Sequence, residues 1–209
     1  MLKRITALLL ALAALAALTA CGGKKIDEAA NRRIAGKQAG NNAVDYSFAY
    51  PEEWELGDND GVVSIRLDCN KSDAIAQYAS INVLTFTLSD SSVGARDYWN
   101  GYKKDLAATL TDFTVLNGSA APEAVSGESS AAAAETSKPA ADGSEITLGG
   151  TVALKVRYSG KLTEKTYLFD QIICCRNGAV YIVTLTATND DYDTAKSALD
   201  VVVQTFVFN

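Results

Sequence analysis

Leu168-Phe169-Asp170-Gln171-Ile172-Ile173-Cys174-Cys175 and Val180-Tyr181-Ile182-Val183 are largely apolar on both alternating faces, and Asn177-Gly178 lies between them. Asn-Gly between two such runs is a strong hairpin signal, because both central residues of the favoured tight turn take positive φ. A strand that is apolar on both faces needs cover on both. The centre of this fold is therefore a β-hairpin buried between two further layers, and the rest of the chain has to supply those layers.

The remaining segments can be sorted by period. Tyr46, Phe48 and Tyr50 alternate with Ser47 and Ala49, a strand stopped by Pro51, which has no N–H to continue a ladder. Gly57-Asp58-Asn59-Asp60-Gly61 reads as a turn, and Val62 to Leu67 and Ile81 to Leu88 as strands rich in β-branched residues. In Val93 to Leu110 the period changes: Ala95, Tyr98, Trp99, Tyr102, Leu106 and Leu110 form one helical stripe. Phe113 to Leu116, Val152 to Tyr158, Thr166 to Cys175 and Val180 to Ala187 read as strands, with Gly160 and Asn177-Gly178 as hairpin turns. Asn189-Asp190-Asp191 supplies a cap and first-turn acids for a helix that puts Tyr192, Ala195, Leu199 and Val202 on one face, and Thr205 to Phe208 is a last strand. Hairpins, a helix, a meander and a helix returning to a strand predict an α+β fold, a mainly antiparallel sheet with helices packed on it.

Two stretches lie outside that pattern. Gly118 to Ser144 is dominated by Ala, Ser, Glu, Gly and Pro, with Val125 as its single large aliphatic residue. It buries too little apolar area to offset its ordering entropy, and we expect a disordered insertion at 118–144 joining two halves of one domain. At the N-terminus, Lys3 and Arg4 precede the uncharged run Ile5 to Leu18, a signal-peptide core shorter than the roughly 20 residues that cross a bilayer as a helix. Leu18-Thr19-Ala20-Cys21 follows, with a large Leu where ordinary signal peptidase takes a small residue. This resembles the lipobox of bacterial lipoproteins, and the resemblance implies lipidation at Cys21. Acyl chains, palmitate among them, on a cysteine anchor a protein stably when two or more are present. The expected layout is a lipoprotein signal peptide at 1–20, a flexible tether at 21–42 in which Ile26, Ala29, Ala30 and Ile34 have the spacing of a short helix, and one domain at 43–209. The chain is then extracytoplasmic and lipid-anchored to the bacterial cell membrane.

Composition narrows the chemistry. The 209 residues contain no histidine, which removes Ser-His-Asp and Cys-His nucleophile pairs, His-ligated zinc and the commonest general base. Lys and Arg number 19, two of them within residues 1–20, against 25 Asp and Glu, so the chain after Ala20 carries about −8. That charge argues against a nucleic-acid partner, whose phosphates are bound by cations. No GxSxG, SxxK, phosphate-binding loop or GxGxxG occurs, and we expect no cofactor. Asp58, Asp60 and Gly61 look like the centre of a calcium loop, but the first and twelfth ligand positions of that register fall on Leu56 and Leu67, so we assign no metal.

Tyr46-Ser47-Phe48-Ala49-Tyr50-Pro51-Glu52-Glu53-Trp54 resembles the opening strand of PsbP-like proteins, which read aromatic-x-Tyr-Pro-x-x-Trp. The aromatic helix around Tyr98 and Trp99, the meander and the terminal helix followed by Thr205-Phe206-Val207-Phe208 fit the same family. The resemblance implies a PsbP-like α/β/α sandwich from about Val44 to Asn209 and leaves activity open, because that fold carries several roles.

Candidate site residues follow. Trp54, Tyr98, Trp99 and Tyr102 are an aromatic set able to line a binding groove, although aromatics at helical spacing also serve as core. Cys69 and Cys174 are a candidate disulfide in an oxidising envelope, with buried free thiols as the alternative; Cys175 points to the opposite face from Cys174. The function expected from these readings is a non-catalytic binding or assembly module that meets an envelope protein or a small apolar ligand. The alternative is a carboxylate-dependent envelope enzyme that works without histidine.

Overall fold

The computed structural model describes residues 31–37, 44–59, 62–68, 78–116, 142–162 and 164–209. Cys21, Cys69, Asp60 and residues 118–141 lie outside them. In chain order the elements are β1 (Asn31–Lys37), β2 (Val44–Pro51), β3 (Glu55–Asn59), β4 (Val62–Asp68), β5 (Tyr78–Thr87), α1 (Ala95–Thr109), β6 (Thr111–Leu116), β7 (Ser144–Leu148), β8 (Thr151–Leu162), β9 (Lys165–Arg176), β10 (Ala179–Ala187), α2 (Tyr192–Thr205) and β11 (Val207–Phe208).

The described strands form two sheets, and every ladder is antiparallel. The large sheet runs β3-β4-β5-β10-β9-β8-β6, with β7 pairing the first part of β8. The small one runs β1-β2-β11. The β9–β10 hairpin is central, and its turn residues Asn177 and Gly178 take φ of 51° and 73°, as the dipeptide predicts. Because β10 pairs with β5, the chain before residue 118 and the chain after residue 141 share one sheet.

Alternation along the central strands sorts side chains into two cores. Tyr181, Val183 and Leu185 of β10 join Ile81 and Val83 of β5 beneath α2 and the small sheet, with Trp54, Tyr46, Phe48, Leu199 and Val202. Val180 and Ile182 face the other way with Leu84, Ile173, Phe169 and Tyr158, beneath Trp99 and Leu106 of α1. The sheet is therefore covered on both faces, as its apolar strands require.

Five sequence expectations need correction. Residues 31–37, read as tether with a possible short helix, form a strand paired in register with β2, from Asn31 opposite Pro51 to Gly36 opposite Tyr46. Gly57-Asp58-Asn59, read as turn, belongs to β3, whose ladder partner β4 supplies its backbone hydrogen bonds. The expected insertion ends earlier than Ser144, because Asp142 is tied to α1 and Ser144 opens β7. Gly160 is not a turn but lies inside β8 opposite Tyr167, where a Cβ would meet that of Leu110 at 2.9 Å. Its glycine serves close packing of the α1 C-terminus on the strand. The last helix runs to Thr205, and its strand is only Val207–Phe208; the Thr205 hydroxyl hydrogen-bonds to the Val201 carbonyl in helical fashion and accepts from the Ala49 amide at 2.8 Å.

Candidate functional site

Helix α1 packs on β6, β8 and β9 and leaves the neighbouring part of the same sheet face, on β5 and β10, less covered. The result is a groove of about 400 Å³. Leu84 and Phe86 of β5 and Val180 and Ile182 of β10 make its floor, and Val93 with Tyr98, Gly101 and Tyr102 of α1 makes its wall. These side chains come from two elements with different periods: alternate residues of a strand share a face, while residues three and four apart share one on a helix. Tyr98 and Tyr102 stand one turn apart with ring centroids 5.8 Å apart. Gly101 sits between them in the helix interior, where glycine is about 1 kcal/mol less favourable than alanine, and it lines the groove.

The groove is electrostatically one-sided. Asp90, Asp97 and Asp105 line it, and no Lys or Arg does. Asp90 accepts hydrogen bonds from the Ser92 amide and hydroxyl at 2.9 and 2.7 Å, and these hold its carboxyl below the ordinary carboxylate value. Burial raises the Tyr102 phenol above its ordinary value, reinforced by Tyr98, so it remains neutral.

One row further along the same face the floor turns polar. Ser64, Asn82, Thr184 and Gln171 stand opposite one another across β4, β5, β10 and β9. Gln171 donates from Nε2 to Thr184 Oγ1 at 3.1 Å and also hydrogen-bonds to Tyr102, joining this row to the groove wall. Asn82 Oδ1, Gln171 Oε1 and Ser64 Oγ are buried without a hydrogen-bond partner among the described residues.

Of the four expected groove aromatics, Tyr98 and Tyr102 are brought to the site and the two tryptophans are not. Trp99, a neighbour of Tyr98 rotated by about 100° on the helix, turns into the core against Tyr158, with ring centroids 5.8 Å apart, and donates to Asp142 Oδ2 at 2.9 Å. Trp54 is buried on the opposite face of the sheet, where the turn closed by its amide on the Pro51 carbonyl aims it under the small sheet. Cys174 and Cys175 are free thiols, the first buried, the second half-buried; Cys69, the expected partner of Cys174, lies outside the described residues, as does Cys21. Sequence reasoning missed the floor residues, Gly101 and the acidic rim. The helical spacing 97, 98, 101, 102, 105 was the available signal.

The one fully buried carboxylate among the described residues, Asp170, lies on the other face. Its Oδ1 accepts from Arg157 Nε at 2.7 Å and from the Tyr192 hydroxyl at 3.0 Å, and its Oδ2 accepts from Lys155 Nζ at 3.0 Å. Burial pushes this carboxyl up, but the Arg157 hydrogen bond and the Lys155 charge outweigh it and hold it below its ordinary value. The cluster fastens α2 to β8 and β9. Arg157 also lies 4.9 Å from the Tyr192 ring centre.

No protein-family model matches the chain, and no curated protein does. Solved structures do. The crystal structure of LpqN, involved in cell envelope biogenesis of Mycobacterium tuberculosis, is 15% identical, superposes with a TM-score of 0.51 and is matched over 86% of this chain and 91% of its own. The solution structure of cyanobacterial PsbP from Synechocystis is 18% identical, with a TM-score of 0.51, over 92% of this chain and 99% of its own. The fold is PsbP-like. Identities this low establish architecture alone, so the site of this PsbP-like domain has to be argued from its own residues. Among the described residues, no helix of the PsbP-like fold is long and apolar enough to cross a membrane.

Proposed function

We propose that the chain is a lipid-anchored, extracytoplasmic module of the cell envelope that binds a partner without transforming it, and that the groove between α1 and the sheet is where it binds. The observation that carries this reading is the groove itself: strand residues that elsewhere on this face are covered by a helix are here left to line a concave site with two tyrosines and an interior glycine. Leu18-Thr19-Ala20-Cys21 supports the anchor, and the likeness to a protein of cell envelope biogenesis is in keeping with the setting.

The carboxylates support binding over catalysis. Asp97 and Asp105 are eight residues apart on one helix, which sets their backbones about 12 Å apart along its axis, whereas glycoside cleavage needs two carboxyls converging on one bond. Asp170 is committed to Arg157, Lys155 and Tyr192.

Two experiments test the reading. A photo-crosslinking amino acid at Tyr98, introduced in intact cells, is expected to trap an envelope component that the same group at exposed Val152 does not; equal trapping at both positions, or none at Tyr98, overturns the groove. Cys21→Ala is expected to move the protein out of the detergent-extractable membrane fraction while its thermal midpoint stays unchanged. Retention in that fraction overturns the anchor.

A further inference from the structure

Two features of the groove point to the same kind of occupant. Its rim carries Asp90, Asp97 and Asp105 and no cation among the lining residues. Its floor is apolar. Lys and Arg side chains are all donor, no acceptor, and carry the charge that complements the rim. Acidic groups bordering an apolar trough repel an acidic or fatty-acid-like ligand and attract a segment in which apolar residues alternate with basic ones.

Resting on the groove as the binding site, we propose that its occupant is a polypeptide segment of an envelope partner with one or two large apolar side chains flanked by Lys or Arg. The apolar anchors sit between Tyr98, Tyr102 and the strand floor, over Gly101, and the flanking cations meet Asp97 and Asp105. The two carboxylates lie at opposite ends of the glycine gap, so cations on either side of an anchor are each within reach of one of them.

The test uses the full chain as purified and a fluorescent twelve-residue peptide with a Leu-Phe centre and two Lys on each side, compared with the same peptide carrying Glu in place of Lys. Anisotropy is expected to show the Lys peptide binding at least tenfold more tightly, with the advantage shrinking as salt is raised. Gly101→Leu, which fills the concavity with a better helix former, is expected to weaken that binding at least tenfold while the thermal midpoint holds or rises. Asp97→Asn with Asp105→Asn is expected to remove the difference between the two peptides. Equal binding of both peptides, undiminished binding by a folded Gly101→Leu variant, or tight binding of dodecylamine with none of the Lys peptide each overturns the proposal. If crosslinking from position 98 still traps a partner while the peptide series fails, the groove stands and only the nature of its occupant is wrong.

Discussion

The indole nitrogen of Trp99 donates to the carboxylate of Asp142 at 2.9 Å, a contact across 43 residues of sequence. Lys103 Nζ meets the same oxygen at 2.8 Å, and Arg96 Nη1 donates to the Asp142 carbonyl at 2.8 Å. One residue thus collects three side chains from successive turns of α1 and fixes the helix beside β7. Since α1 forms the groove wall, the rigidity of the site depends partly on a contact made outside it.

Asp142→Ala is expected to lower unfolding free energy by about 1–3 kcal/mol, because it leaves the buried Trp99 N–H without an acceptor. Lys103→Ala is expected to cost less, since its partly exposed ion pair falls in the class worth about 0–1 kcal/mol. Urea titrations of the two variants decide; a Lys103→Ala loss equal to that of Asp142→Ala shows that charge and not the indole bond dominates.

Acid sensitivity follows from two carboxylates. The Lys103 hydrogen bond lowers the Asp142 carboxyl against the opposing effect of burial, and the Arg157 and Lys155 contacts do the same for Asp170. A group whose folded pKa is depressed adds stability above its unfolded value, near 4, and loses it as pH falls through the folded value. Wild type is therefore expected to lose stability below about pH 4, and Asp170→Asn to flatten that acid limb while lowering neutral-pH stability by about 3–5 kcal/mol, the usual effect of unpairing a buried ion cluster. Thermal midpoints from pH 7 down to pH 2 would reveal the contrast, and an acid limb that is the same in the variant rules out Asp170 as a source.

Burial pushes the thiols of Cys174 and Cys175 up to about 11. Because the thiolate is the reactive form, alkylation of both in folded protein is expected to be slow at pH 8 and to accelerate as pH rises towards 11. Half-buried Cys175 should react before Cys174. Mass spectrometry after timed iodoacetamide labelling, in a variant with Cys21 and Cys69 replaced by Ser, separates the two sites. Rapid modification of Cys174 at pH 8 in folded protein contradicts the packing described.

What could be read in the sequence tracks where the physics is local. β2, β4, β5, β9 and β10 announce themselves because β-branched and aromatic residues alternate or run together and turn residues bound them, and the Asn177-Gly178 turn follows from its dipeptide. β1 and β3 do not, since Arg32, Arg33 and Gly36 or Gly57, Asp58 and Asn59 carry no apolar pattern; ladder partners far along or across a hairpin make them strands. Gly160 looks like a turn because the need it meets is set by Leu110, fifty residues away and invisible as a neighbour. The groove was half legible. Tyr98 and Tyr102 stood out at helical spacing, but assigning Trp54 to the far face required knowing how two layers divide one sheet.

Phe206 stacks on Tyr46 at 5.2 Å between ring centroids, β11 pairs with β2, and the Asn209 amide bonds to the Asp45 carbonyl. The middle strand of the small sheet is thus flanked by the short strand that follows α2. Tyr46 and Phe48 meet Phe206 only by bridging about 160 residues of sequence, and that separation costs loop entropy. Closure of the small sheet is therefore a long-range event, of the kind that slows folding compared with contacts made between sequence neighbours.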